Sequence, residues 1–149
     1  MTPKPGLEAA VSAYIAFYEE LTPDSLVQLE ALCAPAVRFR DPFNDVTGVA
    51  AYRAILARMF EDVAAPRFEV IDRALSGRVA YLRWDFSFQP RKGGAPWRIE
   101  GMSEVHFDDR DRVAAHLDHW DSGSQFYGRL PLLRHVIGLI RKRLSLSLT

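Results

Sequence analysis

One cysteine, Cys33, stands in 149 residues, so no intrachain disulfide can form and no cluster of cysteine ligands can hold a metal. No apolar run is long enough to span a bilayer. Met1 to Gly6 carries two prolines and lacks the apolar stretch of a secretory signal, so the expected location is the cytoplasm. Net charge is also missing. Nineteen basic residues balance nineteen acidic ones, which argues against nucleic acid as a partner. Repeats and low-complexity tracts are absent. The length suits one domain able to bury about two thirds of its unfolded surface without staples.

The balance of charge hides an asymmetry. Residues 129–149 hold Arg129, Arg134, Arg141, Lys142 and Arg143 and no acid, a local charge of +5. The remainder carries −5.

Leu7, Ala10, Val11, Tyr14, Ile15, Phe17, Tyr18 and Leu21 repeat with the period of an amphipathic helix. Thr22-Pro23-Asp24 restarts the chain, with Thr22 as an N-cap and Pro23 at the first helical position. Leu26, Leu29, Leu32 and Cys33 form the stripe of this second helix, and Pro35 ends it. Cys33 therefore reads as core rather than nucleophile. Val37 to Asp41 predicts a short strand, and Asn44, Asp45 and Gly48 a loop. A third helix follows, with Val49, Tyr52, Ile55, Leu56, Met59 and Phe60 on its apolar side.

From Pro66 the period shortens to two. Arg67–Leu75, Val79–Gln89, Trp97–Phe107 and Arg112–Asp121 predict four strands joined by turns. In the second, Ala80, Leu82, Trp84, Phe86 and Phe88 share one face. Gly101 within the third predicts a bulge or bend. Helices first and a meander of strands later define an α+β domain. Beyond it, Leu130, Leu133, Val136, Ile137, Ile140 and Leu144 form the apolar face of a last helix. The boundaries are a domain over 1–128 and a basic amphipathic helix over 129–149. That helix is expected to pack on the domain or on a dimer partner, in preference to a membrane.

The Arg40-Asp41-Pro42 step is the chemical signal. Pro42 cannot donate to a sheet and restricts the residue before it, so the strand stops with a carboxylate at its mouth. Asp41 is a candidate general base, or else a turn former bonded to nearby amides or paired with Arg38 or Arg40. Tyr14 is a candidate hydroxyl donor, or a core tyrosine satisfied internally. His116 and Asp118, two apart on a strand, form a candidate acid/base pair. Reversed parity would turn His119 and Asp121 inward instead. His116 and His119 fall on opposite faces and no third ligand accompanies them, so no metal site is expected. The aromatic count suggests a flat or hydrophobic ligand.

The element order, Arg40-Asp41-Pro42 followed by Gly48, and His119-Trp120-Asp121 with Gln125 resemble the nuclear-transport-factor-2-like superfamily, in its SnoaL-like or ketosteroid-isomerase-like branch. The resemblance covers roughly Leu7 to Tyr127. It implies a cone-shaped barrel: a bent antiparallel sheet wrapped on three N-terminal helices. It implies a cofactor-free pocket, with Asp41 as base and Tyr14 as oxyanion donor. The second acid of the ketosteroid isomerases falls here at Ser103. Trp120 matches a pocket aromatic, and Phe43, Met59, Trp84, Phe86 and Ile99 complete the expected ligand wall. A homodimer covering the outer sheet face around Tyr81 is expected. The implied function is small-molecule binding, with isomerase, cyclase or dehydratase chemistry on a hydrophobic carbonyl-type compound. The alternative is a binding or accessory domain without chemistry.

Overall fold

The computed structural model describes residues 5–145, so residues 1–4 of the N-terminal stretch and 146–149 of the basic segment lie outside the described residues. Helix α1 (Pro5–Glu19) leads through a short 3-10 turn (Asp24–Gln28) and one turn of α2 (Leu29–Leu32) into strand β1 (Cys33–Arg40). Strand β2 (Asp45–Thr47), helix α3 (Val49–Asp62) and strands β3 (Val63–Ser76), β4 (Val79–Pro90), β5 (Trp97–Phe107) and β6 (Val113–His119) follow. One compact unit ends at His119 and a second begins at Trp120, earlier than the boundary expected at residue 128. The second unit holds α4 (Ser122–Gln125), a 3-10 turn and α5 (Leu133–Leu144).

The six strands form one curled sheet in the order β2-β1-β6-β5-β4-β3. With α1 and α3 inside its curve, the unit is an α+β cone of the expected kind. Its pairings are antiparallel except β1 with β6, which is parallel. That pairing sets Phe39 beside His116 and carries the β1 end next to the last strand. The concave face packs on helices through Leu7, Val11, Tyr14 and Phe17 of α1 and Tyr52 and Leu56 of α3, all buried. Each such large side chain contributes about 1.5–3 kcal/mol by leaving water.

Several local expectations change. The second helix is shorter than its apolar stripe implied. Thr22 and Ser25 bond reciprocally, as a capping box does, but the turn they start is 3-10. Cys33 and Pro35 lie in β1 rather than on a helix. Cys33 is 1% exposed, and burial pushes its thiol up to about 12, so it is core and not a nucleophile. The Asp45 segment, expected as loop, pairs with β1 as an edge strand. Gly48 at φ 104 starts α3 in a conformation that a side chain would strain.

The register of β4 on β5 runs through Trp84↔Gly101 unbroken, so Gly101 is not a bulge. A Cβ there would lie closer than 3.0 Å to three indole carbons of Trp84. The glycine is the seat of that ring. Irregularities lie elsewhere: in the pairings of β1 and of β5 with β6, and in β3, between Ala64 and Arg67 and between Val70 and Asp72. Ala65 there has φ 48. These extra residues bend the edge strand around the helices.

A buried polar network centred on His116

His116 is 3% exposed on the concave face of β6. Its partners come from two helices and the sheet. Tyr14 Oη lies 2.7 Å from Nδ1. Tyr52 Oη is 2.6 Å from Tyr14 Oη, and Tyr18 Oη bonds Tyr52 Oη in turn. On the other side, His116 Nε2 lies 2.7 Å from Asp118 Oδ1. Ser103 donates its hydroxyl to the same oxygen. Trp84 Nε1 donates to Ser103 Oγ at 2.7 Å.

Donor counting orients this chain. An indole N–H can only donate, so Ser103 Oγ accepts from Trp84 and spends its own proton on Asp118. An ionised Asp118 only accepts, so a neutral His116 carries its proton on Nε2. Nδ1 then accepts from Tyr14, which accepts from Tyr52, which accepts from Tyr18. Burial pushes all three tyrosine hydroxyls well above their usual range, so they stay neutral donors.

Asp118 is where this network meets solvent, its side chain 16% exposed against 4% for His116. Both of its bonds land on Oδ1. Oδ2 accepts no hydrogen bond among the described residues. Moving along the sheet, cross-strand rows run from Ala80–Val105–His116 to Leu82–Ser103–Asp118, then Trp84–Gly101, Phe86–Ile99 and Phe88–Trp97. The β4 members grow more exposed in that order, from buried Ala80, Leu82 and Trp84 to half-buried Phe86 and Phe88. Beyond Asp118 lies an aromatic slope. Phe68 stacks on Phe86 at 4.3 Å between ring centres, and Phe88 stacks on Trp97 at 5.7 Å.

Thus Tyr14, His116, Asp118, Ser103 and Trp84 come together, with Ile99 and Phe86 in adjoining rows. His119 faces outward with Glu104, and Asp121 caps α4 through the Ser124 amide, so the inward pair on β6 is His116 and Asp118. Asp41 does not join them. Its Oδ1 accepts from the amides of Phe43 and Asn44 at 2.8 and 2.7 Å and from the Asn44 side chain at 3.0 Å. Arg38 pairs with Asp45 rather than with Asp41. Phe43 is 51% exposed beside that turn, Met59 is half-buried on α3, and Trp120 lies past β6 in the second unit, outside the strand's alternation. Tyr18 and Tyr52 were missed because tyrosines in an apolar stripe read as core. The signal was present: three buried hydroxyls need partners. No group of histidine, cysteine and acidic side chains among the described residues could hold a metal ion. Nor is any described helix long and apolar enough to cross a membrane.

A curled sheet closed over α1 and α3 is the NTF2/ketosteroid-isomerase-like fold, and solved structures confirm the class. One is an LEH-like epoxide hydrolase of Mycobacterium tuberculosis, with TM-score 0.65, 17% identity, and coverage of 92% of this chain and 96% of that one. Another is a putative SnoaL-like polyketide cyclase of Jannaschia sp., with TM-score 0.68, 14% identity and coverage of 81% and 91%. A third is a hypothetical protein of Catenulispora acidiphila in complex with trimethylamine, with TM-score 0.67, 14% identity and coverage of 84% and 91%. No curated protein matches the chain. The SnoaL-like domain matches residues 14–116, more than half the sequence, and the chain belongs to that family.

Proposed function

We propose that this SnoaL-like protein binds a small hydrophobic carbonyl-type molecule on the aromatic slope and moves a proton with Asp118, without a cofactor. The observation that carries this reading is the uncommitted Oδ2 at the solvent edge of a buried network. His116 and Ser103 hold Oδ1, fixing the carboxylate and leaving Oδ2 directed by its partners. His116 is then a positioning residue, and Tyr14 acts through it. Of the two candidate bases, Asp41 and the His116/Asp118 pair, this reading favours Asp118. Isomerase, cyclase or dehydratase chemistry would all use such a base, and a hydrolase and a putative cyclase share the fold. A homodimer through the outer sheet face, where Tyr81 is 38% exposed, accompanies this reading.

The test needs no knowledge of the natural substrate. Hydrogen–deuterium exchange at the α-carbon of 2-tetralone, an apolar aromatic ketone, is followed by NMR in D2O. The wild type should accelerate exchange over buffer, and Asp118→Asn should lower the rate about 10²–10⁴-fold. Tyr14→Phe should lose less and shift the pH profile. Exchange unchanged in Asp118→Asn would remove the catalytic proposal. Binding of the ketone, seen in tryptophan fluorescence, with no exchange would leave the second reading, a ligand-binding module. One observation favours that alternative: among the described residues no buried side-chain nitrogen or oxygen lacks a partner, so the network is complete without a ligand.

A further inference from the structure

We propose that α5 docks on an anionic membrane surface, lying in its plane. At about 3.6 residues per turn, Leu132, Leu133, Val136, Leu139, Ile140 and Leu144 fall on one broad arc. All six are exposed, from 40% at Leu133 to 83% at Leu132. Arg134, His135, Arg141 and Lys142 fill the opposite arc. Arg143 lies within the apolar arc at its C-terminal end, where a long side chain can snorkel to the headgroups. A strongly two-sided helix of low mean hydropathy, basic on its polar side, is the pattern of an interfacial helix. Twelve residues rise about 18 Å, too short to span the roughly 30 Å hydrocarbon layer, so the helix can only lie on it.

Charge decides the occupant. More than half of the arginines in the first unit pair with its own acids, among them Arg38 with Asp45, Arg73 with Glu8, Arg78 with Asp111 and Arg112 with Asp108. Arg134, Lys142 and Arg143 have no ion pair among the described residues, and residues 129–149 contain no acid. Two copies pairing through the apolar arcs of α5 would bury the leucines but leave the bases of the opposite arcs without a counter-charge from the helices, since residues 129–149 hold no acid. An anionic lipid surface offers the apolar layer and the counter-charge together.

The experiment is co-sedimentation of the full chain with phosphatidylcholine vesicles, with and without an equal part of phosphatidylserine. The expected result is binding to the mixed vesicles only, reversed by added salt. R141Q/K142Q/R143Q should weaken it by on the order of a hundredfold, about fivefold per charge. Leu139→Glu with Ile140→Glu should abolish it. Both sets alter exposed positions, and unchanged thermal unfolding verifies that they still fold. Absence of binding to mixed vesicles would overturn the proposal, as would equal binding to pure phosphatidylcholine. So would light scattering that shows a dimer lost in the Leu139→Glu, Ile140→Glu variant without vesicle binding in the wild type, which would assign the face to a second copy.

Discussion

Two aspartates, Asp41 and Asp118, each sit near a strand end, and each accepts more than one hydrogen bond. The difference is where the donors come from. Those of Asp41 lie two and three residues away, in the turn that Pro42 forces. Those of Asp118 come from its strand neighbour His116 and from Ser103, fifteen residues earlier on β5. A carboxylate bonded by its own turn shapes the backbone and little else. One bonded across the sheet belongs to a network that also runs through α1 and α3 to Tyr18. Chemistry needs a group held by parts of the fold that do not move with it, which local bonds cannot provide.

The most severe way to break this contrast is at the hub. His116→Ala removes the imidazole that joins the tyrosines to Asp118. It leaves Tyr14 without its acceptor and opens space among the rings of Tyr18 and Phe39, which stack on the imidazole at 5.4 and 5.3 Å. The expected loss is about 3–5 kcal/mol of stability. Urea unfolding followed by tryptophan fluorescence measures it. A loss below about 1 kcal/mol would mean the network adds little to the fold.

A second substitution probes the network's sheet side. Gly101→Ala puts a methyl group against the Trp84 indole, whose N–H anchors Ser103. The ring must shift, and the Ser103 bond to Asp118 loosens with it. The expected cost is about 1–3 kcal/mol, with a shifted tryptophan emission maximum. An unchanged spectrum with full stability would show that the indole has room to spare.

How much of this was legible in the sequence depends on the length of the pattern. The period of two places Ala80, Leu82, Trp84, Phe86 and Phe88 on one face, and the structure buries or half-buries all five. The stripe of α1 is equally plain. The three-residue β2 leaves no periodic trace, and its pairing depends on β1 lying alongside. The parallel match of β1 to β6 pairs Phe39 with His116, far apart in the chain, which no local pattern encodes. At the site, Tyr14, His116 and Asp118 were readable as polar residues at core positions. Tyr52 and Tyr18 read as core in their apolar stripes: that a buried hydroxyl needs a partner could be inferred, but which residue supplies it depends on the tertiary packing.

Acid provides a milder probe, on a carboxylate whose bonds are local like those of Asp41. Backbone amides of Arg112 and Arg110, with the Arg112 guanidinium, hold the Asp108 carboxyl below its usual range. A depressed carboxylate stabilises the fold above its unfolded value of about 4 and loses that contribution as pH falls through the folded value. The Asp108→Asn chain can still accept the amides but no longer titrates there. Its acid unfolding limb below about pH 4 should be shallower, by less than about 1 kcal/mol given the partial exposure. Identical limbs in the two proteins would show that Asp108 does not link folding to pH.

The gentlest substitution separates the two aspartates most cleanly. Asp41→Asn keeps an acceptor oxygen for the amides of Phe43 and Asn44, and asparagine supports such turns as readily as aspartate. No ion pair is lost, because Arg38 is engaged by Asp45. Stability should change by less than about 0.5 kcal/mol, and ketone exchange should match the wild type. Asp118→Asn preserves the same acceptor count at Oδ1 yet removes the charge from the oxygen that nothing else occupies. If Asp41→Asn instead abolished exchange while folding normally, the base would be the carboxylate at the Asp-Pro step, and the network around His116 would be scaffold. Equal loss in both variants would point to two cooperating carboxylates. Loss confined to Asp118→Asn would locate the chemistry in the network assembled by three strands and two helices.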